Sequence, residues 1–220
     1  MQGTDVCNIS FDSSLSSTEE LFGNCSSLSG NDFTMLMLKM HNNITSLNKM
    51  FINCTGIDAE IKYDLFRHCP NVTNISSFVE GTSITGGIYS RSINYSAEDT
   101  MTYGTFDFLS NLKQASNAFS GTNLQFIDNN IFAPIGDDYI GLMEADYMFS
   151  NCRSLKSYQL ANRDSLISNG RLKSKTFFTN LRNLEAPPKG MFSGCSKVDM
   201  DIESKEIDGI VYDYLFHWPS

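Results

Sequence analysis

"MFINCTGI", residues 50–57, sets a Met-Phe pair three residues before a cysteine and an apolar residue three beyond it. The spelling [L/M]-F-x-x-C-x-x-[L/I/V] occurs five times. The copies are Leu21-Phe22…Cys25…Leu28, Met50-Phe51…Cys54…Ile57, Leu65-Phe66…Cys69…Val72, Met148-Phe149…Cys152…Leu155 and Met191-Phe192…Cys195…Val198. Five of the six cysteines thus follow a phenylalanine by three residues, where composition gives each a chance of roughly 1 in 14. The chain is built from repeats.

Degenerate copies fill the gaps. Phe78…Gly81…Ile84 keeps the spacing with Gly for Cys, Phe178…Leu181…Leu184 keeps it with Leu, and Phe119…Thr122…Leu124 is one residue shorter. Upstream of several copies apolar residues recur every third position: Ile44, Leu47, Met50; Val72, Ile75, Phe78; Leu112, Ala115, Ala118. That spacing predicts one or two turns of α- or 3₁₀-helix with one face buried. Elsewhere the period is two. Val198, Met200 and Ile202 alternate with acids, as do Ala59, Ile61 and Tyr63 with Glu60 and Lys62, and Phe33, Met35 and Met37 follow suit. These predict short half-buried strands.

A unit of helical turn plus strand cannot bury its own apolar side, so units must stack, which predicts a solenoid. The expected fold class is an α/β repeat. Residues 1–17 read as an N-terminal segment or cap, and residues 18–220 as a solenoid of about six uneven repeats. With Phe22, Phe51, Phe78, Phe119, Phe149 and Phe192 as markers, the steps are 29, 27, 41, 30 and 43 residues. The long steps hold "RSINYSAEDTMTYG" (91–104) and "ANRDSLISNGRLK" (161–173), and such insertions tend to collect on one face, often the binding face. "DYLFHWPS" (213–220) echoes "YDLFRHCPN" (63–71), as though another repeat were starting.

The runs "MFINCTGI", "LFRHCPNVTNISSFVEGTSITG", "MFSNCRSL" and "MFSGCSKV" resemble BspA-type leucine-rich repeats, and the likeness extends over residues 18–218. The resemblance implies an irregular leucine-rich-repeat solenoid with a parallel strand ladder on one side and short helices or turns on the other. It implies surface adhesion, in bacterial outer-surface proteins, protozoan surface proteins, and tail or fibre proteins of phages infecting gut bacteria. It implies no enzyme activity, and no cofactor is expected. The long insertions depart from the tight family period.

Composition narrows the function. The chain has 220 residues, 41% hydrophobic and 19% charged, with a net charge of −9 and only 16 Lys and Arg, none in a basic run. A surface that tracks phosphates needs clustered cations, so no nucleic-acid partner is expected. The start "MQGTDVCNISFDSS" lacks the basic and apolar regions of a signal peptide, and "FTMLMLKM" is too short to span a bilayer, so no membrane insertion is expected. No G-x-S-x-G, H-E-x-x-H or phosphate-binding glycine loop occurs.

Two readings stand for most other residues. The cysteines could form disulfides, but Gly81, Thr122 and Leu181 at matching positions cannot, and stacked helical turns some 8–10 Å apart exceed the reach of about 4.4–6.8 Å. Buried thiols serving as small hydrophobes are favoured. No zinc site is expected from His41, His68 and His217, and His68 beside Cys69 reads as solvent-facing. Asp199, Asp201 and Glu203 could line one strand face as Ca²⁺ ligands, or simply be solvated, and Asp137-Asp138 offers the same pair of readings. Seven N-x-S/T triplets begin at Asn8, Asn24, Asn43, Asn53, Asn71, Asn74 and Asn94, with Asn24 and Asn53 expected inside the buried repeat.

Phe22, Cys25, Phe51, Cys54, Phe66, Cys69, Phe149, Cys152, Phe192 and Cys195 are the expected repeat core. Tyr89, Tyr95, Tyr103, Tyr139 and Tyr158, in or near the irregular segments, are candidate ligand contacts or packing residues, because a tyrosine joins a flat apolar face to a polar tip. The expected function is non-enzymatic recognition, on a virion or cell surface, of host surface protein or glycan. An architectural virion protein docking on other subunits and a bacterial surface adhesin are the alternatives.

Overall fold

A computed structural model describes residues 6–89, 93–94, 100–101, 104–127, 131, 141–155, 172–173, 188–196, 200–201, 206–207 and 210–211. Within them the chain winds into coils whose matching positions lie side by side. Ser17 bridges Ser46, Ser46 bridges Asn74, Asn74 bridges Gln114 and Gln114 bridges Glu144, all in parallel. A helix, α1 (Gly30–Leu38), occupies the first coil after its rung. A second parallel ladder joins β1 (Glu60–Ile61) to β2 (Thr85–Ile88), and further along β2 to Phe126–Ile127, with Glu60 opposite Thr85 and Ile88 opposite Ile127. Between those last two, β3 (Ile93–Asn94) and β4 (Thr100–Met101) pair antiparallel; Phe126–Ile127 is β5. Beyond it β6 (Leu172–Lys173) pairs parallel with β7 (Met200–Asp201), and β8 (Glu206–Ile207) antiparallel with β9 (Ile210–Val211).

The segment "MFINCTGI" is neither helix nor strand, and its hydrogen bonds explain why. In this coil the N–H groups of Met50, Ile52 and Cys54 donate back three residues within the turn, to Leu47, Lys49 and Phe51. The intervening N–H groups of Leu47, Lys49, Phe51 and Asn53 donate forward to the carbonyls of Asn74, Ser76, Phe78 and Glu80 on the next coil. From Leu47 to Thr55 every backbone donor is satisfied, inside the rung or between rungs in near alternation, as a buried backbone requires. The alternation depends on left-handed residues. Glu20, Lys49, Ser77, Asn117 and Tyr147 form one column of positive φ, and Asn24, Asn53, Gly81, Gly121, Asn151 and Gly194 form another. The three-residue apolar spacing at 44–50, 72–78 and 112–118 is therefore a chain of such turns. The expected helices are absent there because each rung is interrupted by a left-handed residue.

The same bonds correct the repeat register. Phe22, Phe51, Val79, Phe119 and Phe149 each donate to the residue before the next rung's counterpart, at Met50, Phe78, Ala118, Met148 and Met191. Val79, not Phe78, holds the Phe51 position, and Thr82, not Gly81, holds the Cys54 position. Phe78 sits one place earlier and still fills the core. Its ring lies 5.7 Å from Phe51 and 5.6 Å from Phe66, and Phe66 reaches Phe106 at 6.4 Å, which reaches Phe119 at 6.2 Å. Phe22–Phe51, Phe119–Phe149 and Phe149–Phe192 stack at 5.6–5.7 Å. A continuous aromatic ribbon thus crosses the rung that lacks its phenylalanine. "LFRHC" is spelled like a rung, yet Phe66 and Cys69 lie between the rungs of Phe51 and Val79, at the corner where the next coil places Phe106 and Leu109.

The true rung column reads Cys25, Cys54, Thr82, Thr122, Cys152, Cys195. Cys54, Cys152 and Cys195 donate to the carbonyls of Phe22, Phe119 and Phe149 one coil back, at 2.9, 3.1 and 2.9 Å. Thr82 and Thr122 donate to Val79 and Phe119 at 2.8 Å. The column takes a small side chain with a proton to donate. None of the six cysteines is in a disulfide, but not for the expected reason. Rungs joined by backbone hydrogen bonds stand at strand spacing, about 4.8 Å, not at helix-packing distance.

Two further expectations change. Phe33, Met35 and Met37 lie in α1, not in a strand: Ser29 and Asp32 form a reciprocal capping box at its start, and Phe33, Leu36 and Met37 are its buried face. Asn24 and Asn53 are exposed, not buried. Their side chains point out of the left-handed turn, with Asn53 donating to Asn24 at 3.3 Å.

Candidate functional site

In the first four coils the rung and the bridge ladder keep their form, whereas the stretch leading to the next bridge varies. In the first coil it carries α1, in the second the turn 62–69. In the third the chain leaves the ladder after Tyr89 and rejoins it at Thr105. Thr105 N–H donates to the Tyr89 carbonyl at 2.9 Å and Tyr89 N–H to Thr105 Oγ1 at 3.1 Å, which pins the base of the 91–104 insertion. In the fourth coil the step from Ile127 to the bridge at Glu144 is 17 residues, against 13 from Ile61 to Asn74 and 26 from Ile88 to Gln114. The variable stretches of these four coils thus share one corner, whereas the residues added in the fifth coil fall between Leu155 and β6, before the strand ladder.

At that corner α1 meets the second coil. Gly30 N–H lies 3.3 Å from Asp58 Oδ1, and a Cβ on Gly30 would come within 2.8 Å of the Ala59 nitrogen, so the helix start requires glycine for close approach. Between them lies a groove of about 120 Å³. Phe33, Met37, Leu38 and Leu65 form its apolar walls, and Thr34, Glu60, Lys62, Asp64 and His68 its polar rim. That volume suits one side chain or a few atoms of a larger ligand, below the roughly 300–1,000 Å³ of a small-molecule pocket. Leu38 is 57% exposed and Tyr63 41%, so apolar surface continues past the rim.

One coil on, Tyr89 packs edge-on against Phe126 at 4.9 Å, and the Phe126 ring lies across Gly87, where any Cβ would overlap it. Burial, and secondarily the Glu60 carboxylate, pushes the Tyr89 hydroxyl above its ordinary pKa. Tyr89 is half-buried: it is both a packing residue and a partly open aromatic face.

Of the expected contact residues, Tyr89 is thus at this corner, while Tyr95, Tyr103, Tyr139 and Tyr158 lie outside the described residues. Asp137, Asp138, Asp199 and Glu203 do too, and of that acidic set only the backbone of Asp201, in β7, is described. The repeat-core residues are buried as expected apart from Cys25, which is half-exposed, and His68 is exposed beside buried Cys69. Leu38, Tyr63 and Phe126 were not anticipated. Tyr63 follows Ile61 in the alternating pattern that predicted a buried face, but the strand stops at Ile61 and the turn closed by Leu65 N–H on the Lys62 carbonyl carries Tyr63 outward.

Among the described residues no group of three or more His, Cys, Asp or Glu side chains could hold a metal ion, and no helix is long and apolar enough to cross a membrane. No family model, no curated protein and no solved structure matches the chain.

Proposed function

We propose that this chain is a non-enzymatic recognition module on a leucine-rich-repeat solenoid of the BspA type, carried on a phage tail or fibre and contacting host surface protein or glycan through its variable corner. One observation carries this reading. In the first four coils, stretches of different length and composition join the ladders at one corner, where Leu38 and Tyr63 are exposed at a groove rimmed by both charge signs and the Tyr89–Phe126 pair stands one coil on. A rigid ladder with variable loops on one side is how repeat scaffolds present a binding surface. Exposed aromatic and apolar side chains flanked by charges suit a protein or sugar face.

The test is binding of the labelled full chain to intact gut-bacterial cells. Saturable binding is expected, abolished by scrambling residues 91–104 and weakened by Leu38→Ser with Tyr63→Ser. Absence of binding to any strain, or binding indifferent to all these changes, overturns the assignment.

A further inference from the structure

In the rung column Cys25, Cys54, Thr82, Thr122, Cys152, Cys195, the two threonines separate one pair of stacked cysteines from another. Within each pair the residues occupy matching positions on adjacent rungs. The strand spacing of about 4.8 Å falls inside the Cα separation of about 4.4–6.8 Å that a disulfide spans. One oxygen gathers the first pair: the Phe22 carbonyl accepts from the Cys25 N–H at 3.1 Å and from the Cys54 thiol at 2.9 Å. The Phe149 carbonyl does the same for the Cys152 N–H at 3.4 Å and the Cys195 thiol at 2.9 Å. The pairs differ in access. Cys25 is half-exposed, whereas Cys54, Cys152 and Cys195 are all 0% exposed.

We propose that Cys25 and Cys54 form an oxidation site that reacts with hydrogen peroxide and staples the first coil to the second. The Cys25 sulfur, reached from solvent, attacks one peroxide oxygen. The O–O bond breaks, Cys25 becomes a sulfenic acid, and the other oxygen leaves as water with the Cys25 proton. The Cys54 sulfur then attacks the Cys25 sulfur. The S–S bond forms, the S–O bond breaks, and the hydroxyl departs as a second water with the proton Cys54 held. The two thiols have lost two electrons and the peroxide has gained them. Burial pushes the Cys54 thiol up to about 11, so Cys25 meets the oxidant and Cys54 resolves it. The Phe22 carbonyl loses the Cys54 donor but keeps the Cys25 N–H, so no buried acceptor is orphaned. The closed loop, residues 25–54, contains α1, and the bond holds the coil that carries this helix on the coil that carries the turn 62–69. The site does not depend on what the variable corner binds.

Titration of the full chain with hydrogen peroxide tests it, in a Cys7→Ser background because Cys7 is also exposed. Thiols are alkylated in denaturant and the peptides mapped. Loss of two thiols is expected, with the peptides of Cys25 and Cys54 joined, Cys152 and Cys195 still reduced, and full reversal by dithiothreitol. The urea midpoint of the oxidised chain should rise, because the bond restricts the unfolded chain, and adding Cys25→Ser should abolish the rise. Cys54→Thr places there a residue the column already holds at 82 and 122, so it is compatible with folding. In that variant Cys25 should stop at a sulfenic acid that dimedone captures. A Cys25 that goes on to sulfinic acid beside a reduced Cys54 in the parent chain overturns the proposal. So does a bond from Cys25 to a second chain, or oxidation of Cys152 and Cys195 as fast as that of Cys25 and Cys54.

Discussion

Phe51 and Tyr63 belong to the same coil and are both aromatic, yet they answer to different constraints. Phe51 is fully enclosed, with Phe22 stacked on one side at 5.6 Å, Phe78 on the other at 5.7 Å and Phe33 edge-on at 5.1 Å. Tyr63 keeps 41% of its surface in water beside the groove. The rung is a site where shape is dictated by the coils above and below. The corner needs only to close the coil, so its sequence is free to serve something outside the molecule. If that division is real, substitutions should separate cleanly. Phe51→Ala removes a ring with neighbours on three sides and leaves a cavity that the hydrogen-bonded rungs cannot collapse, so a loss of about 3–5 kcal/mol is expected in urea unfolding. Tyr63→Ala should stay within about 0.5 kcal/mol. Comparable losses at the two sites would break the comparison.

The rungs were largely legible in the sequence because their chemistry repeats. Phe and Cys recur at a fixed spacing when each must stack on its own image in the next coil, and four of the six described rungs carry both. What misled was local. Val79 replaces the phenylalanine of its rung, and the neighbouring Phe78 sits at an offset that imitates the motif. Phe66 and Cys69 copy the spelling at a different corner, since both places need a three-residue turn over a buried ring. The helix α1 was missed because Phe33, Met35 and Met37 satisfy a two-residue period, while the capping pair Ser29 and Asp32 was the better signal. The corner was less legible still. Nothing in single-residue patterning says that Phe126 will lie over Gly87, because that contact depends on register between strands far apart in sequence.

Alkaline pH sharpens the comparison from another side. Burial pushes the Cys54 thiol up to about 11 and the Cys69 thiol up to about 12. In the unfolded chain these thiols release their protons near their ordinary value of 9.0. The folded form therefore binds more protons above that value, and stability falls as pH rises. The contribution is complete below about pH 9 and is lost as pH climbs through 11 to 12, with a few kcal/mol expected at Cys69 alone. Urea midpoints measured at about pH 8 and about pH 11 should show it, and Cys69→Ala should flatten the slope. A slope unchanged by Cys69→Ala would mean that the corner thiol is not held as the rung thiols are.

The smallest expected effect tests the left-handed column itself. Gly121 has φ +69°, and a Cβ there would meet nothing nearer than the Gly81 backbone at 3.7 Å. Space is therefore not what selects glycine. The column already accepts asparagine at 24, 53 and 151 with φ between 56 and 61°, because a short amide side chain tolerates the left-handed region. Gly121→Asn should be close to neutral, within about 0.5 kcal/mol, whereas Gly121→Val, β-branched at the same dihedral, should cost about 1–2 kcal/mol. Thermal melts of the two variants separate backbone strain from crowding, since crowding would penalise both side chains. Equal costs would place the constraint in packing between rungs, and the columns of positive φ would then be a consequence of the stack, not the device that lets each rung bond alternately to itself and to its neighbour.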